Sequence, residues 1–263
     1  MLTYPDINPI AVALGPVKIR WYGLMYLVGF LASWVLLRRR ARTGRWAFTV
    51  NHVEDIIFYG VLGVMIGGRL GSMLFYNFSS LLADPLSLLR VWEGGMSFHG
   101  GLLGVLVAMW LFARKHGFGF WQVVDFIAPV TPIGLGAGRI GNFINGELWG
   151  KATDVPWAFV VNGTPRHPSQ LYEALLEGLV MFVVLWAFSS RPRPTMAVSG
   201  LFALLYGSFR IGVEFVRLPD ADIGYIAFGW LTMGQLLSLP LLVVGAALVY
   251  FAYSRKTKNE AIS

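Results

Sequence analysis

The chain contains no cysteine at all, which excludes disulfides, thiolate metal sites and a cysteine nucleophile of its own. Any thiol in its chemistry has to come from a substrate. Charge is scarce as well: 13% of the 263 residues are Asp, Glu, Lys or Arg, against 56% hydrophobic, roughly half a soluble domain's usual charged fraction. With a mean hydropathy of +0.61, that shortage excludes a sizeable soluble domain and leaves a polytopic membrane protein, with room for several spans of about 20 residues and short connections. No H-E-x-x-H spacing occurs, and His99 and His167 stand far apart in sequence, so no metal site is expected. Internal repeats of the kind built into inverted-repeat transporters are not visible. The stretch Met1 to Val17 lacks the basic region and apolar run of a cleavable signal peptide, so the first apolar run reads as a retained span. The formal net charge of +7 does not point to nucleic acid. The basic residues stand beside apolar runs, where they orient helices and meet anionic lipid headgroups.

Seven apolar runs are expected to cross the membrane, at 19–37, 53–75, 96–112, 120–143, 171–188, 198–215 and 230–253, forming one polytopic domain over residues 1–263. Four basic groups mark the inside ends: Arg38, Arg39, Arg40, Arg42 and Arg45; Arg114 and Lys115; Arg191 and Arg193; Arg255, Lys256 and Lys258. They hold 12 of the 21 basic residues and place the N-terminus outside and the C-terminus inside. In the second span Gly63, Gly67 and Gly71 recur every fourth residue, a face made for close helix packing. Pro129 and Pro132 predict a kink in the fourth. The segment 77–95, with Pro85, Trp92 and the pair Gly94-Gly95, reads as an outside loop with an interfacial stretch. In the outside segment 144–169, Trp157 to Val161 is too short to span and suits a strand or an interfacial piece.

The remaining strongly polar residues fall on the outer half of the bundle: Arg69, His99, Arg139, Asn142, Glu147, Arg166, His167, Glu173, Arg210 and Glu214. They suggest a polar cavity opening outward. Arg139 closes an apolar run in Gly138 to Gly150, GRIGNFINGELWG. An intramembrane arginine costs about 2.5–3.5 kcal/mol on insertion scales, so it is paired or used. Holding an anion is one use, with Asn142 one turn on; packing against a neutralising carboxylate is the other. Arg210 and Glu214 form an i, i+4 pair, either a self-neutralising pair that lets the helix insert or a carboxylate orienting an arginine to grip phosphate. Glu147 either does the same for Arg139 or sits at the water interface. His99, among small neighbours, is a base or a hydrogen-bonded structural residue, and Tyr22 and Tyr26, one turn apart, suit interfacial aromatics. On these residues alone an enzyme, a transporter or flippase for a phosphorylated solute, and a membrane scaffold all stay open.

The GRIGNFINGELWG stretch resembles the signature of the bacterial prolipoprotein diacylglyceryl transferases. So do Arg20 to Tyr26, Gly68 to Gly71, Ser97 to Gly101, His167 to Glu173, and Tyr206 to Arg210 through Glu214-Phe215, in the family's order and across most of the chain. The resemblance implies transfer of diacylglycerol from phosphatidylglycerol to the lipobox cysteine thiol of a prolipoprotein signal peptide, with glycerol 1-phosphate released, as the first step of bacterial lipoprotein maturation. It implies an all-α integral protein of the bacterial cytoplasmic membrane with seven transmembrane helices, N-terminus periplasmic, C-terminus cytoplasmic, short periplasmic interfacial segments and a site facing the periplasm. Displacing a phosphate ester with a thiol needs a proton acceptor and cations for the departing phosphate. It needs no cofactor. By resemblance Arg139, with Asn142, Glu147 and Gly150, holds the lipid headgroup, and Arg210 supported by Glu214 stabilises the leaving phosphate. His99 is the candidate base, although a thiol beside two arginines ionises with little help. Tyr26 and Arg69 carry over as substrate-binding residues.

Overall fold

The computed structural model describes residues 1–263 except 6, 16, 76, 91–94, 220–223 and 261–263. Trp92 and Gly94 of the expected outside loop lie outside the described residues, as do the side chains of Arg255, Lys256 and Lys258. The helical class holds. In chain order the elements are β1 (Leu2–Thr3), β2 (Ile10–Leu14), β3 (Val17–Arg20), α1 (Trp21–Arg42), α2 (Val50–Phe75), α3 (Phe78–Ala83), α4 (Phe98–His116), α5 (Phe120–Ile127), α6 (Thr131–Ile144), β4 (Phe159–Val161), β5 (Thr164–Arg166), α7 (Ser169–Glu173), α8 (Met181–Phe188), α9 (Ala197–Glu214) and α10 (Met233–Glu260). A π-helical stretch, Ala174–Val180, makes α7 and α8 continuous. Among the described residues four helices are long and apolar enough to cross a membrane, Trp21–Arg42, Val50–Leu74, Ser169–Phe188 and Met233–Ser254, and five if α5 and α6 form one broken span. The break falls at the expected prolines: Pro129 sits in the turn and Pro132 in the first turn of α6. Helices α4 and α9, also expected to span, are 19 and 18 residues long.

The chain forms two compact units, Leu36–Phe126 and the remainder, Met1–Val35 with Ile127–Ser263. In the first, α2 and α4 meet backbone to backbone along the glycine face seen in the sequence. A Cβ on Gly67 would strike Gly100 O and Gly104, and one on Gly104 would strike Gly63 O, so only hydrogen side chains allow this approach. Ser97 caps α4, its Oγ accepting from Gly100 N at 3.2 Å, and Gly117 ends it in a left-handed turn. At the other end Phe48 stacks on Phe126 at 4.4 Å, and the Arg40 guanidinium lies 4.4 Å from the Trp46 ring.

In the second unit, Ala128, Met181, Leu185 and Val198 form a buried cluster to which Leu135, Phe202, Leu205 and Tyr206 add. Helix α9 packs on α10 and α6 on the π stretch. Gly136 and Gly178 meet there: a Cβ on either would come within 3.0 Å of the other's Cα. Trp157 to Val161, left open between strand and interfacial piece, contributes β4, which pairs antiparallel with β5 through Asn162-Gly163, both at positive φ, as a two-residue hairpin prefers. Strand β1 adds alongside in parallel, and β2 and β3 form a separate hairpin. Tyr4 anchors this sheet to the end of α6, donating to Phe143 O at 2.8 Å.

Candidate active site

The π stretch and its flanks supply a feature no helical periodicity announces: two buried carboxylates, Glu173 and Glu177, on one apolar span. The contact of Gly136 with Gly178 carries α6 against this span, and Arg139, about one turn beyond Gly136, lands on both acids. Its Nε lies 2.9 Å from Glu173 Oε2 and its Nη2 3.4 Å from Glu177 Oε2. From α9, Arg210 reaches the other oxygen of the same acid, Nη1 to Glu173 Oε1 at 2.5 Å, while its Nη2 meets Glu214 Oε1 at 2.6 Å. Arg217, just beyond α9, lies 3.5 Å from Glu173 and 3.6 Å from Glu214. Thr232 Oγ1 donates to Glu214 Oε2 at 2.6 Å. Three guanidinium groups and three carboxylates thus share one cluster, in which Glu173 is 1% exposed and Glu177 fully buried. Among the described residues, Arg139 Nη1 and Arg210 Nε donate no hydrogen bond. Both guanidinium groups therefore keep donors for an incoming anion.

The i, i+4 pair of Arg210 and Glu214 closes into an ion pair. Arg139 is paired too, but by Glu173 and Glu177, not Glu147. Glu147 Oε1 instead accepts from Asn142 Nδ2 at 2.8 Å and Asn145 Nδ2 at 3.3 Å, so Asn142 and Glu147 brace each other at the end of α6. The following loop is pinned by its backbone. Gln170 Nε2 donates to Glu147 O, Ser169 Oγ to Leu148 O at 2.7 Å, and Trp149 Nε1 to Gly146 O at 2.9 Å. Leu148 is held at φ 61°, a left-handed conformation that a leucine adopts only under such constraint. Gly150 donates to His167 O at 2.9 Å and bridges to Arg217; a Cβ there would come within 2.6 Å of Val216 O. The isolated bridge from Gly150 to Arg217 ties GRIGNFINGELWG to the end of α9.

Tyr26 is 41% exposed and packs edge-on against Tyr22 at 5.2 Å. Tyr22 in turn presses against Gly141 of α6, the residue just before Asn142. Partial burial pushes the His167 imidazole below its usual range, and its Nδ1 lies 3.1 Å from Tyr172 Oη. Arg69 and His99 belong to the other unit. Arg69, 4% exposed, donates to three backbone carbonyls, Leu88 at 3.2 Å, Gly95 at 3.3 Å and Ser87 at 2.5 Å, and so fastens the segment between α3 and α4. His99 is exposed in the first turn of α4, two residues past its cap. Sequence reasoning gave no role to Glu173, Glu177, Arg217 or Thr232. A carboxylate within an apolar run was the available signal for Glu177.

A sequence model of the prolipoprotein diacylglyceryl transferases matches residues 9–251. The chain is similar over nearly its whole length to proteins named phosphatidylglycerol--prolipoprotein diacylglyceryl transferase. That of Methylococcus capsulatus is 60% identical over 98% of this chain and 100% of its own. That of Azotobacter vinelandii is 59% identical over 98% and 99%, and that of Solidesulfovibrio magneticus 61% over 93% and 94%.

Proposed function

Since this chain belongs to the prolipoprotein diacylglyceryl transferase family, we propose that its arginine–carboxylate cluster is where phosphatidylglycerol and a prolipoprotein react. The protein is a membrane transferase of lipoprotein biosynthesis, moving diacylglycerol from phosphatidylglycerol to a prolipoprotein. The acceptor is the thiol of the lipobox cysteine, which the cysteine-free chain cannot supply itself. The thiol sulfur forms a bond to the glyceryl carbon that carries the phosphate. The carbon–oxygen bond breaks with its electron pair passing to the phosphate oxygen, and glycerol 1-phosphate leaves. Charge gathers on that phosphate, so preorganised donors aimed at it lower the barrier. The observation that carries this reading is the meeting of Arg139 and Arg210, from two helices, with donors left over on each.

Arg139 holds the lipid phosphate and Arg210, turned by Glu214, stabilises it as it departs. Asn142, Glu147 and Gly150 shape the loop beside the headgroup, and Tyr26 meets the lipid from α1. Arg69, whose donors reach three carbonyls, contributes by holding its loop. His99 takes the thiol proton, supported by its exposure at the start of α4. The single membrane domain crosses seven times, through α1, α2, α4, α5 with α6, α7 with α8, α9 and α10. The N-terminus and active site face the periplasm, the C-terminus the cytoplasm, and the membrane is the bacterial inner one. The arginine-rich end of α1 and the Arg114-Lys115 end of α4 support this orientation.

The test incubates the purified protein in detergent with phosphatidylglycerol and a synthetic lipobox peptide bearing one cysteine. A mass gain of one diacylglyceryl unit on the peptide, with glycerol phosphate released and both lost in Arg139→Ala, is the expected result. Folded protein that binds the lipid without changing it would overturn the reading. In the same assay His99→Gln is expected to fold and turn over at least about 100-fold more slowly, the usual scale of a lost general base. A near-normal rate would leave His99 only a structural role.

A further inference from the structure

We propose that Glu173 is a positioning residue for this reaction: by dividing its carboxylate between Arg139 and Arg210 it sets the spacing at which two guanidinium groups meet one phosphate. The inference rests on the transferase reading above. Three observations carry it. The two oxygens serve different arginines, Oε2 facing Arg139 Nε at 2.9 Å and Oε1 facing Arg210 Nη1 at 2.5 Å, and those arginines come from separate helices, α6 and α9. Glu173 is 1% exposed, so water does not compete for its lone pairs. No other carboxylate among the described residues pairs with both arginines: Glu177 meets only Arg139, at 3.4 Å, and Glu214 meets Arg210 but not Arg139.

The chemistry gives this bridge a purpose beyond neutralising charge. A guanidinium fork grips phosphate well only in the right plane. Two forks gripping one phosphate must keep a fixed mutual distance, which long side chains on separate helices do not hold unaided. One acid in contact with both supplies that distance, leaving Arg139 Nη1 and Arg210 Nε uncommitted. Glu173 does not touch the reacting atoms. It acts through the two arginines, as partners that orient metal ligands act through the ligand.

The full-length enzyme in detergent, with phosphatidylglycerol and the lipobox peptide, tests this. Glu173→Gln is expected to lower kcat about 10–100-fold, the scale of lost orienting partners, while KM for phosphatidylglycerol changes less than about threefold. Glu177→Gln, equally buried, is expected to cost less. In an Arg210→Lys background with residual turnover, adding Glu173→Gln is expected to cost less than about threefold, because the two changes remove one arrangement. A Glu173→Gln enzyme with kcat within about threefold of wild type, or losses that multiply fully in the double variant, would overturn the proposal. Should the glutamine variant not fold, Glu173→Asp keeps the charge on a shorter arm that cannot span both arginines. A large kcat loss in it supports the bridge, and a normal kcat overturns it. If the wild-type chain transfers nothing, it is the transferase reading that fails.

Discussion

Arg139→Lys and Arg210→Lys are each expected to cut kcat/KM for diacylglyceryl transfer by roughly 100–1000-fold, the loss seen when one donor is removed from a developing oxyanion. Charge is conserved in both, so a purely Coulombic site would barely notice. The geometry decides otherwise. Arg139 presents Nε to one acid and Nη2 to another, and Arg210 presents Nη1 to Glu173 and Nη2 to Glu214. Only a planar fork can hold those carboxylates and still aim a donor at a phosphate. A lysine ammonium collapses onto the nearest carboxylate and leaves the second acid buried against fewer partners, an outcome that costs about 3–5 kcal/mol where a buried pair is broken outright. Steady-state kinetics on purified variants, with melting curves to separate folding from chemistry, give the answer. Two lysine enzymes with full activity would sink the phosphate-fork reading.

The second large effect concerns stability. Gly104→Val should yield little or no folded protein, because its Cβ would lie on top of Gly63 O and within 2.9 Å of Gly67 Cα. Overpacking a core costs about 1–3 kcal/mol when side chains can shift; here the obstacle is the backbone of α2, so the whole helix pair must separate. Gly60→Ala on α2 is the matched control. Nothing lies within 4 Å of the added methyl, and it should melt within a few degrees of the wild type. Comparable melting temperatures for the two variants would mean the close approach of α2 and α4 is not needed.

The same contrast explains what the sequence made legible. The four-residue spacing of Gly63, Gly67 and Gly71 is a local signal, and it marks the face that meets α4. Prolines 129 and 132 mark the break between α5 and α6, and the i, i+4 spacing of Arg210 and Glu214 closes into a real pair at 2.6 Å. What stayed hidden depends on contacts between distant segments. Arg139 and its partners Glu173 and Glu177 are separated by 34 and 38 positions, and it is the docking of α6 on their span, with Gly136 against Gly178, that brings them together. Arg69 carried over as a substrate-binding residue by resemblance; its donors also reach backbone carbonyls 18 to 26 residues away, and carbonyls carry no mark in a sequence. Strand β1 went unread for a related reason: it pairs with a segment more than 150 residues later.

The three arginines and three glutamates cancel when each is in its ordinary ionised form. A balanced cluster casts little potential beyond its own contacts, unlike a surplus of one sign, which draws ligands from a distance and weakens as salt rises. The lipid would thus be collected by sideways diffusion through the leaflet, and recognised only at contact. Turnover should follow the mole fraction of phosphatidylglycerol in the membrane or micelle and stay nearly flat as sodium chloride is raised from about 0.05 to 0.5 M, a range that shortens the screening length about threefold.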